Sequence, residues 1–273
     1  VSFEWSVRLL ACQFQIIADC DRLAAWLTPM LQHAAQDYPV SHHHRVEVHQ
    51  EDGRYRIEEN GAARTFEPTP ESAGYAVCAR VHQLALAALP GFTKVHAGCA
   101  TWQGRRLLAV GPAHSGKTTL MTRLLFEGFA VHGDELVLLR GGEAVPFPRR
   151  FGLRPRTLAL IPQLAGVARP GPVALDPSQL GFDWRIAPGP VDAVFFLEPN
   201  HRGRSELRPC PQHLMAQRVM SQSTPPDTGR RGWLSDVCAT LTRAGCYILR
   251  LGDLDTAVAV VKDGLRATPT VAA

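Results

Sequence analysis

No apolar run in this 273-residue chain approaches the roughly 18 residues a membrane helix requires, and its first residues lack the basic-then-apolar layout of a secretory signal. The expectation is a cytoplasmic protein with no membrane partner. Paired cysteines are missing as well. The seven present (Cys12, Cys20, Cys78, Cys99, Cys210, Cys238 and Cys246) are odd in number, scattered and never spaced C-x-x-C, which argues against a disulfide framework and a zinc site. Internal repeats and low-complexity segments are absent. Disorder is excluded by 45% hydrophobic against 20% charged residues, a balance that supports a sizeable core in one large domain or two small ones. Lysine is scarce: Lys94, Lys117 and Lys262 stand beside 26 arginines. Where arginine is used so freely, each lysine raises the question of what a compact ammonium does that a planar guanidinium cannot.

The net charge of +4 conceals a division. Residues 1–90 hold 7 basic and 11 acidic side chains, whereas residues 91–273 hold 22 and 14. A basic second part suits a polyanionic ligand. Its richest stretch, 140–170, carries Arg140, Arg149, Arg150, Arg154, Arg156 and Arg169 against Glu143 alone. No basic surface laced with aromatics at recognisable spacing occurs, so no nucleic-acid partner is expected.

The first part reads as a strand over Val7–Ile17, then a helix from Asp21 to about Ala35 with Leu23, Trp26, Leu27, Met30 and Leu31 on one stripe. Alternating stretches Arg45–His49 and Arg54–Glu58 flank the hairpin signal Asp52-Gly53. Thr69-Pro70-Glu71 opens an apolar helix to Leu89, and Pro90-Gly91 stops it. This predicts a small α+β domain over 1–90. His42-His43-His44, with His33 and His49 nearby, read as a polar loop, because adjacent histidines point apart and nothing completes a ligand set.

The second domain, 91–273, opens with paired strands Lys94–Trp102 and Arg106–Val110, followed by a glycine-rich loop and a helix to about Glu127. Another strand pair lies within Ala130–Leu139, then a Pro/Arg-rich loop to about Pro155 and a short helix. Strands Asp192–Glu198 and Cys246–Leu251, with helices Gln212–Met220, Trp233–Ala244 and Leu254–Leu265, complete an α/β pattern. Ser223–Gly232 reads as a surface loop.

The strongest signal is Gly111-Pro112-Ala113-His114-Ser115-Gly116-Lys117-Thr118-Thr119, which fits G-x-x-x-x-G-K-[ST] between an apolar strand and an amphipathic helix. Glycines let backbone N–H groups turn inward around phosphates, and the helix N-terminus adds its positive end. Lys117 would reach the β/γ oxygens and the Thr118 hydroxyl would ligate Mg²⁺. A nucleotide is therefore the expected ligand. Two acids compete as partner to this loop. One is Glu198, ending Val194-Phe-Phe-Leu-Glu198; the other is the pair Asp134-Glu135 in His132-Gly-Asp-Glu135.

His96-Ala97, the hairpin, the phosphate loop, one helix and Gly128-Phe-Ala-Val-His-Gly-Asp134-Glu135-Leu-Val together resemble the catalytic core of HPr kinase/phosphorylases and their HPr-kinase-related kinases, including those found with lasso peptides. The motifs cover about residues 92–160; beyond them only the order of elements matches. The resemblance implies an HPr kinase/PEP-carboxykinase-like P-loop core, a mixed sheet with flanking helices, preceded by the small α+β domain. It implies a Mg-ATP-dependent kinase acting on a hydroxyl, serine first, of a peptide or small protein such as a lasso-type precursor. Asp134 would be the general base, and Glu135, where the family has a second Asp, would assist Mg²⁺ or water. His96 matches a histidine facing the phosphates. The family's Glu-Ile-Arg-Gly element is replaced by Pro148-Arg-Arg150-Phe-Gly-Leu-Arg154, without a glutamate, which leaves a kinase and puts phosphorolysis in doubt. Arg150 or Arg154 would stabilise the transferring phosphoryl group. In that family oligomerisation supplies the docking surface, so a homo-oligomer is a further expectation. The alternatives are a nucleotide-binding regulatory module that works through a partner, and a small-metabolite kinase.

Overall fold

In the computed structural model, residues 2–31, 35–167, 173–200, 203–227 and 229–268 are described; His33 and Arg169 lie outside them. The chain divides into two compact units, Val1–Pro90 and Gly91–Ala273. No helix among the described residues is long and apolar enough to cross a membrane.

In the first unit the strand expected over Val7–Ile17 is two strands, Phe3–Leu9 and Cys12–Ala18, paired antiparallel. The apolar run hides the turn: Leu10 takes a left-handed conformation (φ 50°) with no glycine to mark it. A five-stranded sheet follows in the order Phe3–Leu9, Cys12–Ala18, His42–Glu51, Arg54–Glu59, Ala62–Glu67. The three histidines therefore begin a strand and do not form a loop. The first helix ends at Met30, short of Ala35. The second, Pro70–Ala87, starts as its sequence dictates: Thr69 and Ser72 form a capping box and Pro70 presets the first turn.

The second unit is built on a six-stranded sheet ordered Ala130–Gly133, Ala97–Trp102, Arg105–Val110, Ala193–Pro199, Gly245–Leu251, Glu206–Pro209. Arg105–Val110, Ala193–Pro199 and Gly245–Leu251 run parallel; Ala97–Trp102 and Glu206–Pro209 pair antiparallel with this set, and Ala130–Gly133 pairs antiparallel with Ala97–Trp102. Alternation divides the core in two. Leu107, Ala109, Phe195 and Leu197 face one cluster with Leu120 and Leu124 of the Lys117–Phe126 helix and Val258 and Val261 of the Leu254–Ala267 helix. Leu108, Val110, Val194 and Phe196 face the other, with Met215, Val219, Val237 and Leu241. Both faces are covered, which is why these strands read as unbroken apolar runs.

A second, antiparallel sheet runs Gly189–Pro190, Glu143–Pro146, Val137–Arg140, Thr93–Val95, Ser223–Thr224. It corrects three expectations. The run Lys94–Trp102 splits at His96, Thr93–Val95 joining this sheet and Ala97–Trp102 the larger one. Ala130–Gly133 and Val137–Arg140 are not partners but belong to different sheets. The Pro/Arg-rich loop contains strands Glu143–Pro146 and Phe151–Leu153. The segment Ser223–Gly232 is likewise shorter than a loop of that length: it begins with a short strand, and the following helix starts at Gly229.

Candidate functional site

The loop Gly111–Gly116 joins the Arg105–Val110 strand to the Lys117–Phe126 helix. Gly116 caps that helix at φ 95°, and an added Cβ would lie 2.6 Å from Leu251 Cδ2, so only glycine fits the turn. His114 is also left-handed, at φ 66°. Lys117 is 5% exposed, and its Nζ donates to the carbonyl oxygens of Gly111 (2.7 Å) and Pro112 (2.9 Å). Burial lowers its pKa to about 8, against the opposing pull of Asp134 and Glu135. An anion seated on the loop would restore the ammonium's charge.

These residues line a cavity of about 710 Å³. Ala113, His114, Ser115, Gly116, Thr118 and Thr119 contribute from the loop and helix start, while Gly111 and Pro112 supply the carbonyls that hold Lys117. Asp134, Glu135 and His96 line the same cavity. Asp134 follows the Ala130–Gly133 strand, whose register shifts between Val131 and Gly133. Such a bulge re-aims the chain at its end. His132 anchors this bulge, its ring nitrogens bonded to Thr101 Oγ1 (2.8 Å) and the Arg185 carbonyl (2.7 Å).

Asp134 is 4% exposed and its Oδ1 has no hydrogen-bond partner among the described residues. Burial pushes its pKa up to about 6; the Thr118 hydroxyl pulls the other way, Glu135 adds to the rise, and Arg149 and Lys117 oppose it. Glu135 is half-exposed and pairs with Arg149 at 2.9 Å. His96 has its pKa lowered, chiefly by burial and then by Lys117, which favours the neutral imidazole.

The two arginines expected near the phosphate separate. Arg154 lines the cavity, with Nη1 2.6 Å from His114 Nδ1. Arg150 does not line it and instead faces the buried Asp176 at 3.4 Å. Asp176 caps the short Pro177–Leu180 helix, so Arg150 is placed with a structural acid. Glu198 is likewise engaged elsewhere, paired with Arg218 at 2.8 Å, and does not line the cavity. Of the two competing acids, the Asp134-Glu135 pair is therefore the one beside the loop.

Several lining residues escaped sequence reasoning. Thr157 bonds Thr119 across 2.9 Å and lines the cavity with Arg156 and Leu160. Pro199, Gly203 and Leu251–Leu254 contribute another part of the wall. A signal for the latter was available: they lie at or just past the carboxyl ends of the two strands that run parallel to the loop strand, where α/β sheets place ligands.

No family model matches the sequence, and no curated protein matches it. Among solved structures, the Hpr(Ser) kinase/phosphatase from Coxiella burnetii aligns with 12% identity and a TM-score of 0.32, covering 63% of this chain and 93% of that one. A score of that size leaves the assignment of an α/β P-loop fold to the strand–loop–helix geometry of this chain itself.

Proposed function

We propose that this chain is a kinase that transfers the γ-phosphoryl group of ATP to a hydroxyl, that of a serine in a peptide or small protein, a lasso-type precursor peptide among them. The observation that carries the reading is Asp134. It is a buried carboxyl with an unpartnered oxygen, its pKa is raised to about 6, and it opens onto the cavity that holds Lys117 and the phosphate loop. A purely regulatory nucleotide site has no use for such a group, whereas a general base near neutrality does.

The loop N–H groups and Lys117 would hold the β- and γ-phosphates, and Arg154 would meet charge on the transferring group. Asp134 would align the acceptor hydroxyl and take its proton as the new O–P bond forms and the bond from the γ-phosphorus to the β,γ-bridging oxygen breaks, releasing ADP. The Thr118 hydroxyl and the unpartnered Asp134 Oδ1 fit a hard cation that keeps water and phosphate oxygens as its other ligands. Magnesium held there would neutralise phosphate charge. Glu135, tied to Arg149, would act through water.

The test is mass spectrometry of phosphate transfer. The protein is incubated with Mg-ATP and a panel of serine-containing peptides and proteins, HPr included, with Asp134→Asn alongside. Phosphate on one acceptor, dependent on Asp134, is the expected result. Full transfer by the asparagine variant would remove Asp134 from the mechanism. Transfer to a small metabolite alone, or ATP binding without transfer, would favour the metabolite-kinase or regulatory reading.

A further inference from the structure

Resting on the reading of Gly111–Thr119 as a phosphate loop, we propose that His114 is a positioning residue for Arg154. Its neutral imidazole holds the guanidinium against the loop, so the charge that meets the donor's terminal phosphate is in place before the nucleotide binds. His114 stands inside the loop, two residues before Gly116, and lines the cavity together with Arg154, Lys117 and Asp134. Arg154 Nη1 lies 2.6 Å from His114 Nδ1. A guanidinium only donates, so Nδ1 must accept, which fixes the imidazole as the neutral tautomer with its proton on Nε2. The contact therefore uses one N–H of the fork and none of its charge. No carboxylate pairs with Arg154 among the described residues, whereas Arg149 is paired with Glu135 and Arg150 faces Asp176. Of these three arginines, Arg154 is the one whose charge is left for an anion, beside the N–H groups that cradle β- and γ-phosphates in such loops.

The root of the Arg154 side chain is held as well as its tip. Leu153 before it is fully buried at the end of the Phe151–Leu153 strand. Pro155 after it disfavours helical backbone, and Arg154 is extended (φ −90°, ψ 159°). The short helix Pro155–Leu160 is joined to the helix behind the phosphate loop by the 2.9 Å bond between the buried Thr157 and Thr119. Arg154 thus leaves a segment tied to the loop's own helix and returns to the loop at His114. An arginine held this way has lost its rotamer freedom before binding, which raises the affinity its phosphate contacts deliver. Arg156 lines the cavity as well, but among the described residues no hydrogen bond ties it to the loop. The left-handed backbone at His114 (φ 66°) lets its side chain be tested apart from the loop's shape. Glycine adopts that conformation freely, and asparagine tolerates it while placing an amide oxygen where Nδ1 stands.

Calorimetric titration of the intact protein with Mg-ATP and Mg-ADP tests this without needing an acceptor. Arg154→Ala is expected to weaken Mg-ATP binding about tenfold, the loss of a charge-assisted contact, and Mg-ADP binding by less than about twofold. His114→Gly, which keeps the backbone and removes the acceptor, is expected to reproduce most of that loss, to add nothing to it in the double variant and to leave Mg-ADP binding in place. His114→Asn, which keeps an acceptor, should restore Mg-ATP affinity. Losses that multiply in the double variant overturn the positioning role, as does either single variant binding Mg-ATP like the wild-type protein, or an asparagine no better than glycine. An equal loss of Mg-ATP and Mg-ADP in His114→Gly would reduce His114 to a matter of loop shape and overturn it too. If Lys117→Ala binds Mg-ATP as tightly as the wild-type protein, the phosphate-loop reading itself fails.

Discussion

Replacing Asp134 by asparagine is expected to make the nucleotide-free protein more stable at neutral pH even as it removes phosphotransfer. Asp134 is buried, and its pKa rises from an ordinary 3.8 to about 6. The folded state therefore holds the proton more tightly than the unfolded one. The resulting stabilisation is fully present below pH 3.8 and is lost as pH rises through about 6. A rise of about two units corresponds to about 3 kcal/mol lost by pH 7. The amide avoids this loss but also removes the negative charge that supports the Lys117 ammonium. The net gain at pH 7 should thus be about 1–3 kcal/mol, shrinking by about 2 kcal/mol on going to pH 4.5. Urea denaturation of both proteins across that range, without magnesium or nucleotide, measures it. An asparagine variant no more stable than wild type at pH 7, or a gap indifferent to pH, would refute the account of a strained, functional carboxyl. The strain is consistent with a site completed only by its ligands, as functional sites commonly are.

With an acceptor in hand, kcat/KM for Mg-ATP should rise with pH through about 6 as Asp134 ionises and fall through about 8 as Lys117 loses its proton. Lys117→Ala should weaken ATP binding by about 100-fold, read by calorimetry, because two charge-assisted phosphate contacts disappear. Gly116→Ala should destabilise the protein by about 1–3 kcal/mol and lower Tm, given its left-handed backbone and the crowding by Leu251. Arg150→Ala should cost about 3 kcal/mol of stability by leaving the buried Asp176 without its opposing charge, yet kcat of the folded enzyme should hold; a large loss of kcat would return Arg150 to the site.

Contiguous features were legible from the chain because their cause is local. Strand, glycine turn and helix start occupy neighbouring residues from Arg105 to Phe126, and the backbone conformation at Gly116 needs a glycine whatever surrounds it. The Thr69 capping box is legible for the same reason. Partnerships between distant residues were not. The pattern through Lys94–Trp102 continues unbroken across His96, although the two halves join different sheets, because alternation records burial and not which neighbour supplies it. Arg150 and Arg154 sit in one arginine-rich stretch; only packing against Asp176 and His114 sends them to different places. Glu198 closes its apolar run as a metal-binding acid would, until Arg218, twenty residues on, is found against it. Ser205 Oγ bonds the Asp253 carbonyl and the Gly252 N–H, about fifty residues away, through backbone groups that carry no residue signature. Backbone conformation is written in adjacent residues, whereas the side chains that face an ionisable group depend on how the whole unit packs. That packing set the environments of Asp134, Lys117, Arg150 and Glu198.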